Sequence, residues 1–257
     1  MTLVEQLGAA CMSGAVKTID LTHTLSPDFP VLVLPPEFGQ CEPFRIEEVS
    51  RYDERGPAWY WRNFSCNEHT GTHFDAPVHW VTGKDVKNGS VDTLDPSHFI
   101  RPACVMDFSK EVAADEDFVL TADHIKAWEK EHGNIDAGSW VIFRTDWAKR
   151  SGEAYLNMKE DGAHHPGPDA GAVEYMIEKD AIGFGVETIG TDAGQAHGFE
   201  PQYPAHTLLH GAGKYGLQCL RNLDQLPPKG ALIIAAPLKI KEGSGSPLRV
   251  LALLSGN

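Results

Sequence analysis

Between residues 69 and 79 the chain reads His69-Thr-Gly71-Thr-His73-Phe-Asp75-Ala-Pro77-Val-His79, three imidazoles and a carboxylate in a stretch broken by glycine and proline. All four polar side chains share parity, so in an extended segment they face one side. Fully extended, however, ten residues at ~3.3 Å each would part His69 from His79 by about 33 Å, too far for the side chains to meet. A helix brings only His69 and His73 together as an i, i+4 pair, and Gly71 and Pro77 both oppose it. The segment is therefore expected to bend. Gly71 is free to take backbone angles closed to other residues, and Pro77 drives Ala76 toward extended geometry.

These residue types suit a metal. Imidazole nitrogen and carboxylate oxygen bind Zn²⁺, Mn²⁺ or Fe²⁺, and three protein ligands beside an open position make a catalytic rather than a structural site. The other reading is a polar loop whose histidines bond to solvent or backbone. Chain-bending residues placed between the candidate ligands favour the metal.

Composition narrows the partners. A formal net charge of −14, with no run of more than two basic residues, argues against nucleic acid. Small molecules or proteins fit better. The longest apolar stretch, ALIIAAPL at 231–238, is too short to span a bilayer, and the N-terminus lacks a basic leader before a long apolar run. The chain thus reads as soluble and cytoplasmic, with no membrane partner. Five cysteines, widely spaced and without a C-x-x-C, are expected to be reduced and mostly buried. With 42% hydrophobic and 23% charged residues, the 257 positions are expected to form one domain, 1–257, around one core.

Short apolar runs bounded by turn residues predict strands at 105–108, 140–143, 182–186, 232–236 and 248–254. Several are apolar at consecutive positions, as in strands covered on both faces. Two helices are predicted, one N-capped by Thr121 and running to His132, the other from Asp169 to Lys179. A third is expected over about 206–220, weakened by Gly211, Gly213 and Gly216. Loops rich in proline and glycine, such as those at 26–39, 164–169 and 226–230, connect these elements into a mixed α/β fold.

The stretch from His69 to His79 resembles the H-x-G-T-H-x-D-x-P-x-H motif of the metal-dependent cyclase family, which includes bacterial kynurenine formamidases and isatin hydrolases. The likeness continues in Ile19-Asp-Leu-Thr-His-Thr-Leu25, in the strand end at Val141 to Thr145, in Gly190-Thr-Asp192 and in Ala205-His206-Thr-Leu208-Leu209. It implies a swivelling β/β/α domain with a β-rich barrel-like core and flanking helices, assembled as a homodimer or higher homo-oligomer. In the family's formamidases two zinc ions are held by the motif residues, a later histidine and a glutamate twelve positions beyond it. Here those two positions are His206 and Gln218.

A neutral amide at 218 leaves Asp75 as the sole evident anionic ligand, a weak base for two dications. An amide oxygen still serves a hard ion, so His69, His73, Asp75 and Gln218 are expected to hold one ion. Isatin hydrolases are similar to that one-metal pattern and use manganese. The resemblance therefore implies Mn²⁺, with Zn²⁺ as the alternative. It further implies a metal-dependent amidohydrolase that opens the cyclic amide of isatin to isatinate through a metal-bound hydroxide. Kynurenine formamidase, a lactone hydrolase of the same family and a non-catalytic metal-binding module are the other readings.

With one ion bound, His79 and His206 are left for proton chemistry, His79 as the main acid or base and His206 orienting water or protonating the leaving nitrogen. Trp59, Phe64 and Trp80 are the aromatic residues expected to line the pocket of a small aromatic amide. The His164-His165 loop is a candidate lid or a solvated turn.

Overall fold

The computed structural model describes residues 1–256. In chain order its principal strands are β1 (Val16–Asp20), β2 (Arg45–Arg51), β3 (Tyr60–Ser65), β4 (His73–Asp75), β5 (Ile100–Asp107), β6 (Trp140–Arg144), β7 (Gly183–Val186), β8 (Tyr215–Gln218), β9 (Ala231–Ile234), β10 (Gly245–Pro247) and β11 (Leu251–Ser255). Nine of them form one sheet in the order β1-β11-β9-β5-β6-β7-β8-β4-β10. The four from β5 to β8 run parallel, and the pairs on either side are antiparallel.

Consecutive apolar residues in the central strands serve two cores. Along β6, Trp140 and Ile142 join Phe74, Leu217 and Ile233 on one face, while Val141 and Phe143 join Ile125, Trp128, Val173 and Met176 on the other. Ile19, from the strand at one end of the sheet, shares the first core with Phe74, from a strand near the opposite end. A nine-stranded sheet brings such distant strands onto one core only by curling, so it forms half a barrel. Backbone hydrogen bonds from Leu21 to Val250 and from Arg221 to Leu21 tie the curl together.

Two helices cover the outer face as their caps predict. Thr121 accepts from the amide of His124 and starts the helix Ala122–His132; Asp169 accepts from Ala172 at 2.7 Å and starts Ala170–Glu178. The predicted third helix is corrected. It lasts one wide turn, Ala205–Leu209, after which Gly211 and Gly213 reverse the chain and Tyr215–Gln218 enters the sheet as β8. Glycine's freedom, with φ +72° at Gly213, ends the helix there. The predicted strand at 248–254 is also shortened, to β11 at Leu251–Ser255, with residues 248–250 outside any strand. A helix at Leu3–Ser13, capped by Thr2 and Glu5, was not anticipated, because its apolar residues are exposed rather than gathered on a core face. All five cysteines are unpaired as expected, though only Cys104 and Cys219 are fully buried. No helix among the described residues is long and apolar enough to cross a membrane.

Two histidines away from the motif, His23 and His165, are packed against the aromatic rings of Phe29 and Tyr155 and of Trp147. Burial holds each at about 4, against an ordinary 6.5. The unfolded chain takes up these protons first as pH falls below 6.5, so stability present above that pH is lost toward pH 4. Glu187, raised to about 7 by burial, acts in the opposite sense, favouring the fold at low pH and losing that contribution as pH rises through about 7. Denaturant midpoints are expected to fall on acidification from about pH 6.5 to about pH 4.5, each histidine contributing up to about 1.4 kcal/mol per pH unit. A midpoint that rises on acidification would show that Glu187 outweighs them.

Candidate active site

Asp75 ends β4 with no exposed surface. Such a carboxylate needs room and compensation, and the neighbouring strands supply the room. Gly216 of β8 and Gly245 of β10 both lie directly opposite it. A Cβ at Gly216 would stand 3.1 Å from Asp75 Oδ2, and one at Gly245 would meet the carbonyl oxygen of Phe74 at 2.5 Å.

Compensation comes from imidazoles. His69 Nδ1 lies 2.7 Å and His73 Nε2 3.4 Å from Asp75 Oδ1, while His206 Nε2 lies 3.8 Å from Oδ2. The amide nitrogen of Gln218 donates to Oδ2. Burial pushes the Asp75 carboxyl up, but the nearby His79, His69 and His73 outweigh it and hold the group well below the usual carboxylate range.

The bend predicted from sequence is present. Gly71 takes φ +68°, and its carbonyl accepts from His73 Nδ1 at 2.7 Å, leaving Nε2 turned to the carboxylate. Ala76 is extended with ψ 158°, Pro77 opens a single 3₁₀ turn, and His79 at its end stacks on His69 with ring centres 3.8 Å apart. His69, Asp75 and His79 present ligand atoms within 4.8 Å of one another. Burial lowers His79 to about 3 and His73 to about 4, so both are neutral bases at pH 7. Neutral imidazole is the form that binds a metal or accepts a proton.

His206 enters from the one-turn helix. Its Nδ1 bonds Asp192 Oδ2 at 2.5 Å, and Asp192 also accepts from the backbone amides of Ala205 and His206. Burial lowers the His206 pKa, while the bond to Asp192 outweighs this and leaves it raised. His69, His73, His79, His206 and Gln218 together line one cavity of about 440 Å³, which Leu32, Leu34 and Gln40 also border.

Of the expected aromatic residues, only Trp80 reaches this neighbourhood. Its ring centre is 4.8 Å from that of His206, and its Nε1 donates to Thr207 Oγ1. Trp59 and Phe64 stand on or beside the β2–β3 hairpin, 48% and 65% exposed, and Phe64 borders a separate groove with His23, Leu25 and Leu248. Within one chain they do not meet the histidine cavity. The His164-His165 loop is also elsewhere: His164 pairs with Asp117 and Asp161, and His165 is buried beside Trp147.

Two polar residues were missed by the sequence reading. Asp192 lies within a motif segment but had no role attached. His210, one turn after His206 and 1% exposed, brings its ring centre to 5.5 Å from that of His206 and 6.0 Å from that of His79. The His-x-x-x-His spacing at 206 and 210 was the available signal.

Gly216→Val is expected to push the Asp75 carboxylate aside and weaken divalent-ion binding at least about tenfold, roughly 1.4 kcal/mol. Calorimetric titration with Mn²⁺ checks this; unchanged affinity would mean that the glycine does not set the carboxylate's place.

The chain is similar to known hydrolases along nearly its whole length. The isatin hydrolase of Roseibium aggregatum is 55% identical over 251 residues, 96% of this chain and 95% of that protein. The structure of isatin hydrolase A from Labrenzia aggregata bound to benzyl benzoate superposes with a TM-score of 0.97 at 62% identity, covering 98% of this chain and 99% of that one. A further isatin hydrolase, bound to the product analogue thioisatinate, gives a TM-score of 0.97 at 52% identity, covering 99% and 100%. The family model described as putative cyclase matches residues 19–193, which hold the whole stretch from His69 to His79 together with Asp192. The chain belongs to that cyclase family.

Proposed function

We propose that this protein is a metal-dependent amidohydrolase that opens the five-membered lactam of isatin to isatinate. The observation that carries this reading is the near-complete superposition on an isatin hydrolase holding thioisatinate, with a histidine-lined cavity built around Asp75 in this chain. Gln218, where the formamidases carry a carboxylate, favours the cyclic amide over N-formylkynurenine.

The donor set fits a divalent ion. His69, His73 and Asp75 offer two imidazoles and a buried carboxylate, and a half-turn of the Gln218 amide presents its oxygen in place of its nitrogen. These four residues would hold the ion, Mn²⁺ in the first instance and Zn²⁺ as the alternative. When bound, such an ion polarises a carbonyl and acidifies a coordinated water.

The chain's own groups do the rest. His79, neutral and stacked on His69, takes the proton from the attacking water. His206, aimed by Asp192, protonates the departing lactam nitrogen so that the ring opens to an aniline and a carboxylate. The apolar Leu32 and Leu34 line the cavity and exclude bulk water from a flat substrate, with Trp80 packed behind His206.

Trp59 and Phe64 have a place in this scheme if the protein is a homodimer or higher homo-oligomer. Every residue of β3 is exposed, including Tyr60, Trp61 and Phe64, an apolar surface that a second copy would bury. In that arrangement the hairpin's aromatic rings serve the neighbouring subunit's pocket. Unpaired thiols throughout suit the reducing cytoplasm as its working compartment.

Parallel assays on isatin, N-formylkynurenine and a dienelactone, with metal analysis of the same samples, test the reading. One ion per chain and preferred isatin turnover support it; two zinc ions with faster formamide cleavage overturn it. His79→Ala is expected to keep the ion and lose at least about 100-fold in kcat, whereas His73→Ala loses the ion itself; metal-free His79→Ala protein would reverse the two roles. Trp61→Asp is expected to shift the sedimentation mass toward the monomer, and an unchanged mass would place the subunit contact elsewhere.

A further inference from the structure

Residues 242–246 read Glu-Gly-Ser-Gly-Ser, the composition of a flexible linker, yet Ser244 is held at both backbone groups and at its side chain. Its amide donates to Glu68 Oε2 at 3.0 Å, and its carbonyl accepts from the amide of Ala76 at 2.9 Å. Its hydroxyl lies 2.7 Å from Glu68 Oε2 and 2.9 Å from His69 Nε2. The flanking glycines make these approaches possible. A Cβ at Gly243 would stand 3.0 Å from Glu68 Oε1, and one at Gly245 would meet the His69 ring at 2.6 Å.

Proton counting fixes the direction of each bond. A backbone N–H can only donate, so Glu68 Oε2 is an acceptor. The serine hydroxyl has a single proton, and this carboxylate oxygen takes it in the stronger, charge-assisted bond. Ser244 Oγ is left with lone pairs alone toward His69, so His69 Nε2 carries a hydrogen and donates it. The ring's other nitrogen, Nδ1, is the one that faces Asp75 Oδ1 at 2.7 Å, the carboxylate with which His69 would share an ion.

We propose that Glu68 and Ser244 are positioning residues: as a carboxylate–hydroxyl relay they hold the His69 proton on Nε2 and so reserve Nδ1 for the divalent ion. A histidine ligand whose far nitrogen donates to an anchored acceptor keeps its ring orientation and gains basicity at the nitrogen that binds metal. Without Glu68 the hydroxyl proton is free to turn toward Nε2. The imidazole proton then belongs on Nδ1, where Asp75 accepts it and the ion is opposed. This role rests on His69 being a ligand of the ion, not on isatin being the substrate.

Histidine ¹⁵N spectra of the Zn²⁺-loaded wild-type protein, with His69 assigned by through-bond correlation to its backbone, test the relay without catalysis or variants. A hydrogen is expected on His69 Nε2 and none on Nδ1; the reverse placement overturns the proposal. In calorimetric titrations with Mn²⁺, Glu68→Ala and Ser244→Ala are each expected to weaken binding about 10–100-fold. Glu68→Gln, whose amide oxygen can accept from the same two donors, is expected to stay near wild type. Unchanged affinity in both alanine variants overturns the relay, and so does a loss in Glu68→Gln as large as that in Glu68→Ala, which would make charge rather than proton placement the cause. Wild-type protein that binds neither Mn²⁺ nor Zn²⁺ would strike the metal reading itself. Normal binding without isatin turnover would strike the proposed reaction and leave the relay standing.

Discussion

A fully buried carboxylate is the constraint around which this molecule is arranged. Removing an ionised Asp75 from water is costly unless charge or hydrogen bonds replace the lost solvent. The strands on either side put glycine opposite it, five imidazoles approach it, and the Gln218 amide donates to it. These features come from separate parts of the chain, and they meet because β4 is paired between β8 and β10, with the one-turn helix that carries His206 and His210 leading into β8.

Much of the site was legible because its information is local. Parity, reach and chain-bending residues between 69 and 79 are enough to require a bend, and Gly71 and Pro77 supply it as expected. Thr121 and Asp169 announce their helices because a cap is a contact between neighbours three residues apart. The curled sheet with flanking helices agrees with the fold that the family resemblance implies.

What was not legible depends on distant packing. The stretch from His206 to Leu220 carries helical spacing and strand-like apolar residues at once; Gly211 and Gly213 decide between them, and pairing with β7 completes the strand. The aromatic residues near the motif in sequence were expected near it in space, yet Trp59 and Phe64 leave on a hairpin while Trp80 stays. His210 was passed over because its significance lies in Asp75, on a strand that sequence alone does not place beside it.

The edge strand β10 adds a consequence in time. Ser244, just before it, accepts from or donates to His69 Nε2 at 2.9 Å and receives support from Glu68, and Gly245 pairs with Asp75. The residues that frame His69 and Asp75 are thus synthesised long after them. A ribosome that has made the entire histidine motif has not yet made the strand that walls it in. An ion captured before then meets an open, half-formed cluster of side chains, so secure binding of an ion there waits for β10.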